Sequence, residues 1–337
     1  MTALVAELCR EKRPDVLQIE YTHLAPLRHS APEVPAILVE HDVTFTLYEQ
    51  VARLCQTRAA RQEYRRWLRF ERQWLRQYDA VWTVSDQDFT AAVSEGSRAE
   101  TTFVIPNGVD TERFAPGEQA VWGPEILYVG SFRHFPNVVA FERLCNEIMP
   151  RVWQTHGNAR LRVIAGTEPE KYWSRFMGRR SFGHLDSRIR IHGFVEDLRP
   201  FYRKACVVVA PLAISAGTNI KVLEAMACGK ALVATSVGCK GLNLTDGHDI
   251  IVRDDWTEFA QSVSDLLTNE SLGRILGTRA RRTAASRFSW RKIADDAYAS
   301  YEIVARASDL VRVPGTRTSL ARGAALQCDR SADVRVG

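Results

Sequence analysis

The chain has 337 residues, of which 45% are hydrophobic and 25% charged, and a formal net charge of +5, which is ordinary for a globular protein with two domains. Its apolar runs fall short of the roughly 18 to 20 residues of a membrane span, and the first residues lack a signal-peptide layout, so we expect a cytoplasmic protein. The seven cysteines are scattered and form no C-x-x-C pair, which argues against a disulfide framework or a metal site.

In the first third of the chain, short apolar runs alternate with helical patterns, which is typical of an α/β fold with parallel sheets. Strands are predicted at 15–19, 36–39, 80–84 and 102–105, and one long helix at about 51–77. A turn cluster at 105–110 and a linker at 114–117 follow. We therefore expect residues 1–117 to form a first Rossmann-like domain.

The same alternation resumes after the linker and predicts a second domain over residues 118–288. Its predicted strands are 125–129, 159–165, 189–191, 207–210, 231–234 and 249–252. Its predicted helices are 138–156, 198–204, 220–228, 256–268 and 272–288. A further helix is expected at about 289–307. Residues 308–337 are rich in Arg, Gly, Ser and Thr, so we expect a disordered tail.

The segment from Pro211 to Thr235 carries the clearest chemical pattern in the chain. A polar turn of small residues at 215–219 runs directly into a predicted helix. Free N–H groups and the positive end of the dipole at a helix N-terminus suit a phosphate. Lys221 adds a positive charge, and Glu224, on the same face, can accept hydrogen bonds from sugar hydroxyls. The spacing alone fits an ordinary strand-to-helix turn with an ion pair equally well.

The stretch LEAMACGKALVAT at 223–235 resembles the donor-site helix of the family 4, or group 1, glycosyltransferases. IPNGVDTERF at 105–114 is similar to the segment at the family's domain border. GFVEDLRPFY at 193–202 is similar to its base-binding loop, and FSWRKIADDAYASYEIV at 288–304 to the closing helix that crosses back to the first domain. The resemblance covers roughly residues 15–305. It implies the GT-B fold, with two Rossmann-like domains and parallel sheets.

The resemblance also implies a reaction and its partners. A hexosyltransferase of this kind moves a sugar from a nucleotide-sugar donor to a hydroxyl of a glycan or lipid-linked acceptor, with retention of configuration. Glu224 matches the glutamate that holds the ribose. Lys221 and the backbone amides of Gly217, Thr218 and Asn219 would stabilise the leaving diphosphate. Ala216 stands where the family places a second, sugar-facing glutamate.

Four further residues take their roles from the resemblance. His41 follows a predicted strand at its carboxyl end, where ligand groups of open α/β sheets lie, and matches the family's interdomain histidine; the alternative is a strand-end histidine without a ligand. Glu40 and Asp42, beside it, are interpreted as structural or capping groups. The backbone at Phe194 and Val195 would bind the base. Arg133 lies in a phosphate-facing loop that departs from the family's pattern, so an exposed loop arginine is the equal alternative.

The resemblance implies neither a cofactor nor a metal. A metal-dependent GT-A transferase usually holds its cation with an Asp-x-Asp motif, whereas Lys, Arg and a helix dipole would replace the cation here. Only about 15 residues precede the first predicted strand and none is glycine, so we expect a shortened, incomplete N-terminal domain. Two alternatives therefore stay open: a truncated, inactive donor-binding relic, and a GT-B sugar-nucleotide epimerase.

The region from Arg53 to Arg76 holds eight arginines together with Trp67 and Trp74. Arginines interleaved with tryptophans suit a peripheral contact with the inner face of an anionic membrane. Such a contact would bring the protein to a lipid-linked acceptor. A solvated helix with one buried aromatic stripe is the alternative. No recognition motif for nucleic acid accompanies the arginines, so we expect no nucleic-acid partner.

Overall fold

The computed structural model describes residues 1–117, 122–178, 182–183, 185–215 and 217–312. Their strands form two parallel sheets, one in each half of the chain, flanked by helices. The α/β class and the two Rossmann-like units expected from the sequence are confirmed. Among the described helices, none is both long and apolar enough to cross a membrane.

The first sheet has four parallel strands in the order β1-β2-β3-β4. They are β1 Leu17–Glu20, β2 Ala36–Glu40, β3 Ala80–Thr83 and β4 Thr102–Val104. Helices of this half are α1 Thr2–Lys12, α2 Thr44–Cys55, α3 Arg58–Leu75 and α4 Asp86–Glu95, and a 3₁₀ segment covers Thr22–Ser30. Strands β2 and β3 are buried along their whole length, which explains their continuous apolar runs.

The single long helix predicted over 51–77 is wrong, because the chain reverses at Gln56. Gln56 has a left-handed backbone, with φ at 53°, and its N–H donates to the carbonyl of Ala52 as α2 ends. Thr57 then caps α3 by accepting from the N–H of Ala60 at 3.1 Å. The break lets α2 fold back on α3. The side of α2 that faces away from α3 then lies towards the second half of the molecule.

The second sheet has six parallel strands in the order β10-β9-β8-β5-β6-β7. They are β5 Glu125–Val129, β6 Arg160–Ile164, β7 Ile189–His192, β8 Val207–Ala210, β9 Ala231–Ala234 and β10 Ile251–Val252. Its helices are α5 Phe135–Arg143, α6 Met149–Thr155, α7 Pro169–Met177, α8 Arg199–Lys204, α9 Ile220–Ala227, α10 Trp256–Thr268 and α11 Glu270–Arg287. A π-helical turn at Leu144–Ile148 divides the helix predicted over 138–156, just before Pro150, which has no N–H to continue the ladder.

The last helix, α12 at Trp290–Arg312, packs back on the first sheet. The ring of Tyr301 lies 4.9 Å from that of Trp82, and Val304 is buried in the same cluster as Ile37. The helix extends past residue 307, so the predicted tail begins too early. Residues 313–337 of that tail lie outside the described residues.

Candidate active site

A cleft of about 780 Å³ opens between the two halves of the molecule. From the first half, Tyr21 after β1, His41 after β2, and Tyr48 and Val51 of α2 line it. From the second half, the loop after β5 lines it at 133–137, and the turn after β8 lines it at 212, 215 and 218–221. Both walls thus come largely from the carboxyl ends of parallel strands, the usual position of ligand sites in open α/β sheets.

His41 is held in the cleft by a carboxylate that the sequence did not reveal. Its Nε2 lies 2.6 Å from Oε2 of Glu20, and its ring packs at 4.4 Å from that of Tyr21. Glu20 ends β1, the strand paired with β2, so the parallel order places its side chain beside His41. Glu40, by contrast, is buried and accepts a hydrogen bond from Thr22. The ring is therefore oriented from the neighbouring strand.

The turn before α9 contacts the first half of the molecule directly. Gly217 has φ at 57°, and a Cβ built there would lie 2.4 Å from the carbonyl oxygen of His41. Asn107 donates to the Thr218 hydroxyl at 2.7 Å, and Asn219 donates to the carbonyl of Gly238 at 2.9 Å. The turn is thus fixed from several sides. Ala216, the position of the family's second glutamate, lies outside the described residues.

Lys221 keeps its positive charge available in the cleft. Its Nζ donates to Oδ1 of Asn137 at 2.6 Å, a neutral partner, and lies 5.6 Å from the centre of the Tyr128 ring. Burial lowers the pKa of Lys221 to about 8, against the opposing effect of Glu224. A buried ammonium ion paired with an amide gains from an anionic ligand.

Glu224 and Lys221 share a helix but point to different partners. The hydroxyl of Tyr202 donates to Oε2 of Glu224 at 2.9 Å, and burial raises the pKa of this carboxyl. The ion pair that the spacing allowed is absent from the ion pairs found among the described residues. Lys221 therefore faces the cleft, while Glu224 lies outside the cleft lining, beside Tyr202.

The comparisons with known proteins agree with this architecture. Residues 123–269 match the family model described as Glycosyl transferases group 1, and residues 1–108 match the Glycosyl transferase 4-like domain. The chain belongs to the group 1, or family 4, glycosyltransferases. This membership confirms the family expected from the sequence.

Among its curated relatives is the lipopolysaccharide core biosynthesis mannosyltransferase LpcC of Rhizobium leguminosarum bv. viciae. It is 27% identical over 250 residues, which cover 71% of this chain and 66% of the relative. The D-inositol 3-phosphate glycosyltransferase of Paenarthrobacter aurescens is 33% identical over 111 residues, 31% of this chain and 26% of the relative. The chain thus matches between about a quarter and two thirds of these relatives' length.

Solved structures of glycosyltransferases are similar in fold. Anabaena Alr3699/HepE in complex with UDP has a TM-score of 0.72 at 16% identity, covering 90% of this chain and 82% of that chain. Sucrose-phosphate synthase of Thermosynechococcus elongatus has a TM-score of 0.70 at 20% identity, covering 89% and 76%. These similarities confirm the GT-B fold.

The predicted site residues fall into two groups. The cleft brings together His41, Arg133, Thr218, Asn219 and Lys221, with Gly217 in contact with His41. The base-binding positions and Glu224 lie outside the residues that line it. Phe194 is 68% exposed in the loop after β7, and Val195 packs against the core around α9.

The chain contains one Asp-x-Asp, Asp86-Gln87-Asp88, the pattern that holds the cation in metal-dependent GT-A transferases. Asp88 is buried at the start of α4, where its carboxylate accepts from the hydroxyl of Ser85 at 2.6 Å. Asp86 accepts from Asn243 at 2.8 Å, across the two halves. Both carboxylates thus have structural partners. No cluster of three or more metal-binding side chains is found among the described residues.

Proposed function

We propose that this chain is a retaining hexosyltransferase that moves a sugar from a nucleotide-sugar donor to an acceptor hydroxyl in glycan or glycolipid synthesis. One observation carries the proposal: the turn before α9 and Lys221 lie in a single cleft with His41. A nucleotide diphosphate on the second half would present its sugar to the histidine on the first half. Transfer needs this arrangement of leaving group and reacting carbon.

The diphosphate would lie against Lys221, the amides of Gly217, Thr218 and Asn219, and Arg133. Negative charge develops on the diphosphate as the sugar leaves, and positive groups that are already oriented stabilise it. The N-terminus of α9 adds the partial charge of its dipole. With these groups in place we propose that no metal and no other cofactor is needed.

The nucleoside would extend along α9 towards the loop after β7. Glu224 lies one turn beyond Lys221, and Tyr202 holds one of its oxygens. A carboxylate fixed in this way can accept from the ribose hydroxyls. The backbone of Phe194 and Val195, in the exposed loop, would bind the edge of the base, and His41 would contact the sugar near its reacting carbon.

The acceptor proposed is a glycan or a lipid-linked glycan, with the protein at the cytoplasmic face of an anionic membrane. The two tryptophans do not support this contact, because Trp74 is buried and Trp67 stacks on Tyr48 at 5.9 Å. The arginines do support it: Arg58, Arg61, Arg65 and Arg69 are exposed and recur every three or four residues along one side of α3. A contact of this kind would be electrostatic.

The test is binding and turnover of a panel of UDP-, GDP- and ADP-sugars by the parent protein, Glu224→Ala and the control Glu63→Ala, which is half-exposed on α3 and does not line the cleft. Saturable binding that is lost only in Glu224→Ala supports the donor site and identifies the base. Turnover with release of nucleoside diphosphate supports the transferase. Binding without turnover indicates the relic, and interconversion of the sugar without nucleotide release indicates the epimerase. A folded protein that binds no donor contradicts the proposal.

A further inference from the structure

The side chain of Gln50, on α2, joins the two halves of the molecule at the donor turn. Its Nε2 donates to the carbonyl of Ser215 at 2.9 Å, and its Oε1 accepts from the N–H of Ser215 at 3.1 Å. The same Nε2 also donates to the carbonyl of Thr46 at 3.0 Å, one turn earlier in α2. Both amide hydrogens and the amide oxygen are thus used, so only one orientation of this side chain satisfies all three bonds.

Ser215, whose backbone Gln50 binds, lies at the start of the turn before α9. Ser215 is only 4% exposed and lies two residues before Gly217, whose backbone abuts His41. The bonds go to the backbone of Ser215, so they fix the path of the chain into α9 whatever the side chain. The contact joins residues 165 positions apart, one in each half of the molecule. It therefore links the two halves and is not part of the core of either sheet.

We propose that Gln50 is a positioning residue that holds the cleft closed by binding the backbone of the donor turn. This inference rests on the proposed function. Domains joined by modest, polar contacts generally move relative to one another. With Gln50 in place, α2 and the turn before α9 move together, so that Tyr48 and Val51 on α2 stay opposite Lys221. Without it, the amides at 217–219 lose their fixed direction towards a diphosphate.

Two substitutions separate the hydrogen bonds from the shape of the side chain. Gln50→Met keeps the length and removes the bonds at every pH. In Gln50→Glu, a carboxylate accepts from the Ser215 N–H but repels its carbonyl, whereas the protonated acid has one donor for the carbonyl of Ser215 and one acceptor for its N–H. A free Glu has a pKa of about 4.3, and burial beside a carbonyl raises it, so Gln50→Glu should regain the closed state as the pH falls from about 8 to about 4. Gln73→Glu, exposed on α3, adds the same charge away from the cleft.

Closure is measured without any donor, as the distance between spin labels at the exposed Cys55 and at Lys171→Cys on α7. Cys145, Cys239 and Cys328 are replaced by Ser, and this background is the parent for all variants. The expected result is one short distance in the parent and in Gln73→Glu at both pH values. Gln50→Met should show a longer, broader distribution at both, and Gln50→Glu only at about pH 8.

Donor affinity is the second readout, with UDP and the donor identified by the panel as probes. Loss of the two bonds should weaken binding about tenfold in Gln50→Met, and Gln50→Glu should recover most of that loss at the lower pH. Asp42, His134 and Lys221 also titrate in the cleft, so each variant is compared with the parent at the same pH. Recovery on protonation is a signature that a purely structural role would not produce.

Two results would overturn the role of Gln50: an unchanged label distance in Gln50→Met, or a Gln50→Glu variant that behaves alike at both pH values. Failure of the parent to bind any nucleotide contradicts the proposed function instead. The label distances still decide the role of Gln50 in that case, because they are measured on the protein alone.

Discussion

Gly217 and His41 meet backbone to backbone across the cleft, so closely that a β-carbon at 217 would lie 2.4 Å from the His41 carbonyl oxygen. The two residues are 176 positions apart and follow strands of different sheets, His41 after β2 and Gly217 after β8. The contact sets how near the turn proposed to bind phosphate comes to the histidine. A side chain at 217 would therefore act on the closure of the cleft as well as on the local backbone.

Gly217→Ala is expected to weaken donor binding by about tenfold or more. The alanine would need a left-handed backbone, which costs about 1 to 2 kcal/mol, and its methyl group would collide with His41. Titration calorimetry with the donor measures the loss. Gly247→Ala is the matched control, because Gly247 has φ at 70° and no atom within 4 Å of an added Cβ. Equal effects in the two variants would show that backbone strain, and not the contact with His41, is responsible.

Donor affinity is expected to fall as the pH rises through about 8. Burial lowers the pKa of Lys221 to about 8, so the ammonium ion that would bind the diphosphate is lost above that pH. Lys221→Arg should flatten the profile, because a guanidinium stays charged. Lys221→Met should bind about a hundredfold more weakly than the parent at about pH 6 and should lack the decline with pH, so the two proteins approach each other above about pH 8. The readout is the dissociation constant of UDP between about pH 6 and pH 9. A parallel decline in the parent and Lys221→Arg would assign the effect to another group.

The sequence predicted the sheets well because their strands are buried on both faces and appear as apolar runs. Ala231–Ala234 and Val207–Ala210 were predicted to the residue. Helix boundaries were harder. Nothing in the side chain of Gln56 announces a left-handed residue, so the break between α2 and α3 was missed. The cost of that conformation is met by packing between the two helices, which the local sequence does not show.

The site was predictable only where its residues are adjacent in sequence. Small polar residues directly before a helical pattern predict the turn at 215–219, and Lys221 follows it in the first turn of the helix. Glu20 beside His41 depends on β1 pairing with β2, and Gln50 depends on how the two halves meet. Both are set by tertiary packing. Resemblance to the family identified the turn and the histidine, but it did not reveal these supporting partners.

A buried pair of carboxyl groups beneath His41 should make the protein less stable as the pH rises. Glu40 is 1% exposed, and its Oε1 is buried without a hydrogen-bond partner among the described residues. Burial and the nearby Glu71 raise its pKa well above the usual range, and burial raises the pKa of Glu71 to about 7. The folded state therefore holds protons that the unfolded state has released above about pH 4.5. Stability falls between that pH and about 7, where the folded pair also loses protons.

Glu40→Gln tests this directly, since a neutral amide of the same shape removes one acid. The variant should match the parent at about pH 5 and be more stable by about 1 kcal/mol or more at about pH 8, in urea unfolding. Glu71 is less suitable, because its oxygens cap α2 by accepting from the N–H groups of Thr44 and Phe45. Glu63→Gln, half-exposed on α3 and paired with Arg66, serves as the control. If the stability of Glu40→Gln depended on pH as that of the parent does, the carboxyl pair would not be the cause of the pH dependence.

Binding to anionic vesicles is expected to depend on the arginines of α3. Replacing Arg61, Arg65 and Arg69 by Gln should reduce partition onto phosphatidylglycerol vesicles by about tenfold or more, because each basic residue near the surface contributes about 1 kcal/mol. Arg279, Arg282 and Arg291 replaced by Gln, all exposed elsewhere, give the same change in net charge. Sedimentation with vesicles at low and high salt measures both. Equal losses in the two triple variants would show that net charge, and not the helix, governs the contact; no binding by the parent at low salt would rule out the membrane contact altogether.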